Sequence, residues 1–303
     1  MRISIFGAGS LGSALGGLLA GTNEVALIGR RAHVDAIRRK GLTLVGDRAR
    51  PVRLEAAENV RDIAPPELLI VTTKAYDTEE AVRICRTWTD KETMVLTLQN
   101  GLGNLELLRA WKGSRVFGGT TTMGARLLSP GRVRVSGIGR TVVGSDMDAT
   151  GAAKLARVLS KAGIPVTVRS DISREIWAKA VVSACINPVT AVLRVPNGKL
   201  LDSPILSRFI REVCQECIEV ACSEGIRLSS ASMYARVRAV ARDTSRNLSS
   251  MLQDVERGSR TEIGQINGAF CRTGRDKSVP TPLNNALVAM VGSLESVARQ
   301  QKG

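Results

Sequence analysis

Residues 2–21 read RISIFGAGSLGSALGGLLAG, an apolar run that leads through a glycine pattern into a helical pattern. We interpret residues 2–8 as a buried strand and residues 10–19 as a helix. The glycine pattern between them, G-x-G-x-x-G, is formed by Gly7, Ala8, Gly9, Ser10, Leu11 and Gly12. In such a loop the first glycine permits a tight turn, the second lets the backbone approach a pyrophosphate, and the third lets the helix pack on the strand. The helix N-terminus also favours phosphate, so these six residues are predicted to bind a dinucleotide.

The end of the second predicted strand, residues 24–28, indicates which dinucleotide is bound. Enzymes that use NAD commonly place an aspartate or glutamate there to bind the ribose 2′-hydroxyl. Here the strand is followed by Gly29, Arg30 and Arg31, and a guanidinium group can bind a 2′-phosphate through two hydrogen bonds. We therefore expect Arg30 to favour NADPH, with NADH as the alternative cofactor. If the arginines are only solvated loop charges, this preference is not expected.

Apolar runs rich in β-branched residues recur after the second strand, and helical patterns separate several of them. Predicted strands lie at residues 68–73, 94–98, 116–121 and 165–169, with a helix at residues 152–162. Such alternation is typical of a doubly wound parallel sheet. The runs at residues 132–135 and 141–143 predict a hairpin late in this domain.

The second half of the chain has a different pattern. No strand-like run follows residue 170, and long segments with the 3.6-residue period of an amphipathic helix replace them. These segments lie at residues 173–184, 205–224, 230–243, 260–273 and 282–299. The sequence therefore predicts an α/β Rossmann-type N-terminal domain, residues 1–169, followed by an all-α C-terminal domain, residues 170–303.

The composition is that of an ordinary globular protein, with 44% hydrophobic and 23% charged residues among 303. No window approaches the roughly 18 consecutive apolar residues of a membrane span. The apolar N-terminal run is needed as a strand, which argues against a signal peptide. We expect a cytoplasmic protein without a membrane partner.

The net charge of +15, from 43 Lys+Arg against 28 Asp+Glu, raises the alternative of nucleic-acid binding. The basic residues are dispersed, however, and the longest basic run is Arg38-Arg39-Lys40. Aromatic residues, at 3% of the chain, offer few platforms for base stacking. A basic surface that attracts an anionic cofactor and substrate needs fewer assumptions, so we expect no nucleic-acid partner.

The single histidine, His33, and the cysteines do not form a metal-site pattern. The cysteines are Cys85, Cys185, Cys214, Cys217, Cys222 and Cys271. Cys214 and Cys217 form a C-x-x-C, but a spacing of three inside a helical pattern places two small apolar side chains on one face. Core packing is therefore favoured over zinc or redox chemistry. We interpret Cys85 as a packing cysteine, with a regulatory thiol as the alternative if it is exposed.

Lys179, Ser183 and Asn187, which we call the polar stripe, are spaced four apart in an otherwise largely apolar helical pattern. A lysine on such a helix is ordinarily a surface group whose stem packs on apolar neighbours. A lysine in a cleft suits carbonyl reduction instead, because it can protonate the oxygen as hydride arrives and can stabilise a developing alkoxide. The pattern alone leaves both interpretations open.

Eight motifs, in this order along the chain, resemble the ketopantoate reductase family, the 2-dehydropantoate 2-reductases. In the first half they are GAGSLG at 7–12, TTKAYDT at 72–78, QNGLGN at 99–104 and GTTTMGAR at 119–126. In the second half they are EIWAKAVVSACINPVTAV at 175–192, PNGKL at 196–200, NLSSMLQD at 247–254 and TEIGQING at 261–268. The resemblance covers nearly the whole chain. It implies NADPH-dependent reduction of 2-dehydropantoate to pantoate in pantothenate and coenzyme A biosynthesis.

The resemblance also implies roles for individual residues. Lys179 is the expected general acid, Glu262 helps to organise the nicotinamide end, and Asn100 bridges cofactor and substrate. Lys74 and Ala125 line the expected cofactor site. The groups expected to hold the carboxylate, carbonyl and hydroxyl of the substrate are Asn187, Asn197, Asn247 and Ser250. A homodimer through the apolar helices of the second domain is also expected.

Two site residues have structural alternatives. Ser250-Met-Leu-Gln253 matches a capping box that opens a helix, a role that is compatible with substrate binding because a helix N-terminus favours a carboxylate. By its local pattern alone, Glu262 is a helix-surface acid.

Two residues depart from the family pattern. Ser183 stands where many members carry asparagine, so its contact with the substrate hydroxyl is expected to be shorter or water-mediated. Asp77 replaces a commoner glutamine near the adenine side, which should alter cofactor affinity rather than chemistry. Reduction of another branched 2-keto acid is therefore the alternative function. A cofactor-binding regulator with a dead site is a further alternative, although such a protein should lack Lys179 or Glu262.

Overall fold

The computed structural model describes residues 1–46 and 49–300, with residues 298–300 as backbone only. The chain folds as two compact units. The first contains residues 1–99 and 104–175, and the second contains residues 100–103 together with the chain from residue 176 onward. The domain boundary expected between residues 169 and 170 stays a prediction.

All the strands of the described chain lie in the first unit. They are β1 (Arg2–Phe6), β2 (Glu24–Ile28), β3 (Leu42–Val45), β4 (Ala49–Val52), β5 (Glu55–Ala57), β6 (Leu68–Val71), β7 (Met94–Thr97), β8 (Val116–Thr121), β9 (Gly124–Ser129), β10 (Arg132–Gly137), β11 (Thr141–Gly144) and β12 (Val166–Arg169). Eight of them form one sheet in the order β12-β11-β8-β7-β6-β1-β2-β5. Neighbouring strands are parallel except β8 and β11. β6 and β7 are buried along their whole length, as is typical of strands covered on both faces.

Five helices accompany this sheet: α1 (Ser10–Leu19), α2 (Arg31–Lys40), α3 (Thr78–Cys85), α4 (Asn104–Lys112) and α5 (Ala149–Lys161). The alternation of parallel strands and helices confirms the predicted α/β Rossmann-type fold of the N-terminal half. α1 follows β1 after three residues, so its N-terminus lies at the carboxyl edge of the parallel strands. Open α/β sheets bind their ligands at this edge.

A second, four-stranded sheet in the order β4-β3-β10-β9 corrects the predicted hairpin. The runs at residues 132–135 and 141–143 do not pair with each other. β10 pairs with β9 and β3, whereas β11 joins the large sheet between β8 and β12. Their burial patterns show why. β10 alternates between exposed and buried positions, as a strand covered on one face does, while β11 is buried throughout.

The small sheet is attached to the first two helices by side chains of α1 and α2. Ser10 Oγ accepts a hydrogen bond from Leu127 N over 3.0 Å. The buried imidazole of His33 accepts from Gly131 N at Nδ1 and lies 2.9 Å from Ser13 Oγ at Nε2. Because Nδ1 accepts, the proton of the neutral ring sits on Nε2. Burial lowers the pKa of His33 below its usual 6.5 and thus favours this neutral form.

The second unit is helical, as predicted. Its helices are α6 (Ile172–Leu193, beginning in the first unit), α7 (Pro204–Ser223), α8 (Ser230–Asp243), α9 (Ser250–Glu256), α10 (Asn267–Asp276) and α11 (Pro282–Gln300). Two predicted bounds are wrong. The segment predicted at residues 173–184 continues through Pro188 to Leu193, and the one predicted at 260–273 becomes regular α-helix only at Asn267. The residues before Asn267 form turns.

Helix α6 is long and apolar enough to cross a membrane, with a mean hydropathy of 1.6 in its most apolar window. Of that window, 61% is buried inside the protein. The buried residues of α6 pack with α7, α8 and α9 in one hydrophobic cluster. This is the environment of a core helix.

Candidate active site

The three glycines of the N-terminal loop differ in what a side chain at each position would contact. Gly7 has φ +109°, and a Cβ there would lie 2.5 Å from Thr73 N. A Cβ on Gly12 would lie 2.3 Å from Gly7 O, so this glycine permits the close packing of α1. A Cβ on Gly9 would meet no described protein atom within 4 Å. Protein packing thus explains Gly7 and Gly12 but not Gly9, which is the position where a pyrophosphate would need the backbone bare.

The backbone of this loop is held in place by its neighbours. Gly7 N and Ala8 N donate to Ile28 O over 3.1 and 2.8 Å. The N-cap residue of α1, Gly9, has no side chain that could cap the helix. The N-terminus of α1 therefore has no side-chain cap, and its positive end is suited to an anion.

Arg30 is the residue that precedes α2, and its side chain is exposed. The neighbouring Arg31 lies 3.8 Å from Asp35 in an exposed ion pair. No acidic group of the described residues forms an ion pair with Arg30. Its guanidinium group thus stands two residues beyond β2 and can take an anionic ligand.

The loops after β6 and β7 are joined by one glutamine that sequence reasoning did not single out. Gln99 Nε2 donates to Thr73 O over 3.1 Å and to Thr78 Oγ1 over 2.8 Å. This amide fixes the loop that carries the half-buried Lys74. Ala125, the other expected cofactor contact, lies on β9 opposite Val135.

The polar stripe lies on α6 as predicted. Between Ala178 and Ala191 every residue of this helix is buried except the three members of the stripe, which are half-buried. At 1.5 Å rise per residue the stripe spans about 12 Å. It therefore forms a partly open polar line along an otherwise apolar core helix, and Lys179 is not a surface lysine.

Lys179 has an unusual electrostatic environment. Burial lowers its pKa from the usual 10.5 to about 8, while the charge of Glu262 acts in the opposite direction and raises it. Glu262 itself is only 5% exposed. The interpretation of Glu262 as a helix-surface acid is thus wrong: it lies in a turn segment before α10, buried near Lys179.

Asn100 belongs to a short segment of the second unit that packs on the residues after Glu262. Leu102 N donates to Gln265 O over 3.0 Å. Gly101 has φ +83°, and a Cβ there would lie 2.5 Å from the same oxygen. This contact requires glycine next to Asn100. It brings the Asn100 segment beside the segment that carries Glu262.

A second group of predicted residues meets beyond the end of α6. Asn197 N donates to Asn247 O over 3.0 Å, and Asn197 Nδ2 donates to Thr244 Oγ1 over 2.9 Å. Because Thr244 Oγ1 donates in turn to Val240 O, it must accept from Asn197. Asn197 and Asn247 are thus neighbours, and Thr244 is a supporting residue that sequence reasoning missed.

The predicted capping box is wrong by one residue. Ser249 caps α9 by accepting from Leu252 N over 3.1 Å, while Ser250 is the exposed first residue of the helix. Gln253 donates to Leu248 O instead of closing the box. Ser249 also accepts from Thr190 Oγ1 over 2.7 Å, which ties α9 to α6. With the cap supplied by Ser249, the hydroxyl of Ser250 is not used in capping.

Five of the six thiols are buried, as expected for packing residues. All the cysteines are free, and only Cys222 is exposed. Burial raises the pKa of Cys85 to about 12, so that it is not a reactive thiolate. Among the described residues no group of three or more His, Cys, Asp or Glu could hold a metal ion.

Two family models match most of the chain. The model described as "Ketopantoate reductase PanE/ApbA" matches residues 3–147, and that described as "Ketopantoate reductase PanE/ApbA C terminal" matches residues 171–295. A curated 2-dehydropantoate 2-reductase from Pyrococcus horikoshii is 37% identical over 305 residues, covering 100% of each chain.

Two solved structures of the same fold carry the names of different enzymes. A PanE/ApbA family ketopantoate reductase from Ralstonia eutropha JMP134 has a TM-score of 0.92 at 31% identity, covering 99% of this chain and 100% of its own. A D-mandelate dehydrogenase in ternary complex with NADH and anilino(oxo)acetate has a TM-score of 0.94 at 28% identity, with the same coverage.

Proposed function

Because the chain belongs to the ketopantoate reductase family, we propose that it reduces 2-dehydropantoate to pantoate with NADPH, a step toward pantothenate and coenzyme A. The observation that carries the proposal is a half-buried lysine, Lys179, whose pKa is lowered to about 8 beside the buried Glu262. This is the acid that a ketone reduction needs.

Lys179 supplies the proton. Near neutral pH a lysine with a pKa of about 8 is mostly protonated. Its ammonium polarises the ketone, donates one proton to the carbonyl oxygen, and stabilises the negative charge that develops there. NADPH, when bound, supplies the hydride that the carbonyl carbon accepts. The products are the alcohol and NADP⁺, and Lys179 is left neutral until it takes a proton from solvent.

The remaining residues bind and orient the cofactor and the substrate. Asn100 lies beside the Glu262 segment and is assigned to the boundary between cofactor and substrate. Neutral amides and hydroxyls orient an anionic keto acid while leaving one cation to polarise its carbonyl. The groups assigned to the substrate are Asn100, Lys179, Ser183, Asn187, Asn197, Asn247 and Ser250.

The cofactor residues suit a phosphorylated dinucleotide. The uncapped N-terminus of α1 and the bare Gly9 suit the pyrophosphate, and the exposed Arg30 suits the 2′-phosphate. The residues assigned to the cofactor are Gly7, Ala8, Gly9, Ser10, Leu11, Gly12, Arg30, Lys74, Asn100, Ala125 and Glu262. We also propose a cytoplasmic homodimer, held through the helical half of the chain.

The test is the oxidation of NADPH and NADH by the purified protein with 2-dehydropantoate and a series of other 2-keto acids. The proposal expects the highest kcat/KM for 2-dehydropantoate with NADPH. Binding of NADPH without turnover of any keto acid would favour the regulator instead.

Reduction of a different 2-keto acid is the second candidate. The similar fold of a D-mandelate dehydrogenase, solved with NADH and anilino(oxo)acetate, supports it. Ser183, smaller than the asparagine of many family members, leaves more room at the centre of the polar stripe. If Ser183→Asn raises kcat/KM for 2-dehydropantoate and lowers it for a bulkier 2-keto acid, the second candidate is correct.

A further inference from the structure

A buried chain of polar side chains in the second unit ends on the helix that carries the polar stripe. Pro188 lies inside α6 and has no N–H, so the Ala184 carbonyl lacks its helix hydrogen bond. Asn267 Nδ2 donates to that carbonyl over 3.1 Å. Asn267 is fully buried. Its amide therefore supplies the hydrogen bond that the proline removes.

The orientation of the Asn267 amide is fixed by two residues on other helices, Glu216 and Asn284. The Glu216 carboxylate, which only accepts, takes hydrogen bonds from Asn284 N over 3.0 Å and from Asn284 Nδ2 over 2.8 Å. Asn284 must then turn its Oδ1 away from Glu216. That oxygen accepts from Asn267 Nδ2 over 2.9 Å, so the amide of Asn267 must present its NH₂ group, which also reaches Ala184.

The position of the missing helix bond matters for the site. Ala184 directly follows Ser183, and Pro188 directly follows Asn187, so the gap lies between two members of the polar stripe. Asn267 in turn is the first residue of α10 and directly follows the turn segment that contains Glu262. The hydrogen bond thus connects the stripe to the segment whose carboxylate acts on Lys179.

We propose that Asn267 is a positioning residue for the reduction. Its amide replaces the helix hydrogen bond lost at Pro188 and so holds the polar stripe against Glu262. The proposal rests on the proposed function for its kinetic part and on the hydrogen bonds alone for its structural part. It assigns no contact between Asn267 and the substrate.

The kinetic test uses Asn267→Leu, which keeps the approximate volume and removes the donor. A misplacement of about 1 Å can cost about 100-fold in rate, and we expect kcat/KM for the keto acid to fall by about 10- to 100-fold. Loosening of the site admits water to Lys179 and also moves it away from Glu262, and these two changes act on its pKa in opposite directions. Because burial is the larger influence, the alkaline limb of the pH–rate profile should move upward from about 8. A residue with a merely structural role would change stability but leave the limb of the folded enzyme in place.

The decisive test is rescue by a second substitution. Pro188→Ala restores an N–H that can bond Ala184 within the helix, so Asn267 becomes redundant for that carbonyl. Leaving a buried carbonyl without a donor costs about tenfold in the unfolding equilibrium constant. In urea unfolding, Asn267→Leu should therefore raise the unfolding equilibrium constant about tenfold more in the wild-type background than in the Pro188→Ala background. The alkaline limb of the pH–rate profile should return to its wild-type position in the double variant.

Asn285→Leu is the matched control. Asn285 is an exposed neighbour of Asn284 on α11, and among the described residues its amide bonds only to Thr281, so its substitution should cost the same in both backgrounds. If Asn267→Leu unfolds the protein and the double variant folds, the proposal is supported. Equal harm in both backgrounds, including failure to fold in both, overturns it. If the wild type reduces no keto acid, the proposed function is overturned. The unfolding comparison then decides the structural part of the Asn267 proposal.

Discussion

Glu262 lies within electrostatic range of Lys179, and its carboxylate opposes the effect of burial on the lysine ammonium. The two influences leave the pKa of Lys179 at about 8 instead of the usual 10.5. Such a lysine is mostly protonated near neutrality, yet it releases its proton more readily than a surface lysine does. The pair thus sets the pH range over which the site can donate a proton.

The first prediction is an alkaline limb in the pH–rate profile. Because only protonated Lys179 can act as the acid, kcat should be constant below about 8 and should fall about tenfold per pH unit above it. Lys179→Ala should lower kcat by at least ~100-fold and remove the limb. Lys161→Ala, on the exposed side of α5, is the control and should leave both unchanged. A wild-type kcat that is level well above pH 8 would contradict the assignment.

The second prediction concerns the carboxylate partner. Glu262→Gln removes the charge that raises the pKa of Lys179, so burial acts alone and the alkaline limb should move to lower pH. The measurement is the same profile of kcat against pH. Glu256→Gln, an exposed acid on α9, is the matched control and should not move the limb. If the limb of Glu262→Gln coincides with that of the wild type, Glu262 does not act on Lys179.

The large sheet and the helical half were predictable because each rests on a local period in the sequence. β6 and β7 are unbroken apolar runs, and the helix predicted over 230–243 matches α8. The small sheet has no such signal. β4 contains Arg50 and Pro51, and it becomes a strand by pairing with β3, which itself pairs with the distant β10. Its two antiparallel pairs, β3 with β4 and β9 with β10, are local, and only the pairing of β3 with the distant β10 joins them into one sheet.

The candidate site likewise has a part that local sequence patterns predict and a part that depends on distant contacts. The polar stripe was predictable because its members are four residues apart on one helix. The contacts of Thr190 with Ser249 and of Asn267 with Ala184 join residues 59 and 83 positions apart, and no short motif indicates them. The capping box failed because two consecutive serines compete for one cap, and only Ser249 turns its hydroxyl to the helix.

The third prediction tests the choice of cofactor. If Arg30 binds the 2′-phosphate, Arg30→Ala should raise KM for NADPH by about 10- to 100-fold, the loss expected for a charge-assisted hydrogen bond. KM for NADH should change by less than about threefold, since NADH lacks that phosphate. Arg39→Ala, an exposed arginine at the other end of α2, is the control. An equal change for both cofactors would show that Arg30 does not select NADPH.

The fourth prediction separates binding from packing in the glycine loop. A Cβ at Gly9 meets no described protein atom, so Gly9→Ala should keep a wild-type Tm while weakening NADPH binding by at least about tenfold. A Cβ at Gly12 would lie 2.3 Å from Gly7 O, so Gly12→Ala should lower Tm by several degrees. Calorimetry and cofactor titration of both variants check this. If Gly9→Ala leaves the affinity for NADPH unchanged, the pyrophosphate does not bind at Gly9.

The fifth prediction follows from the neutral His33 between the small sheet and α1. Its folded-state pKa is lowered by burial, so its contribution to stability is complete above the usual 6.5 and is lost as pH falls below that value. Protonation of Nδ1 would break the hydrogen bond from Gly131 N. Loss of that bond is worth about 1 kcal/mol, or roughly 2–4 °C in Tm. Wild type should therefore lose more Tm than His33→Gln between about pH 7.5 and 5.5. The comparison uses the change with pH, so a lower starting Tm of the variant does not affect it, and parallel losses would show that His33 does not titrate in this range.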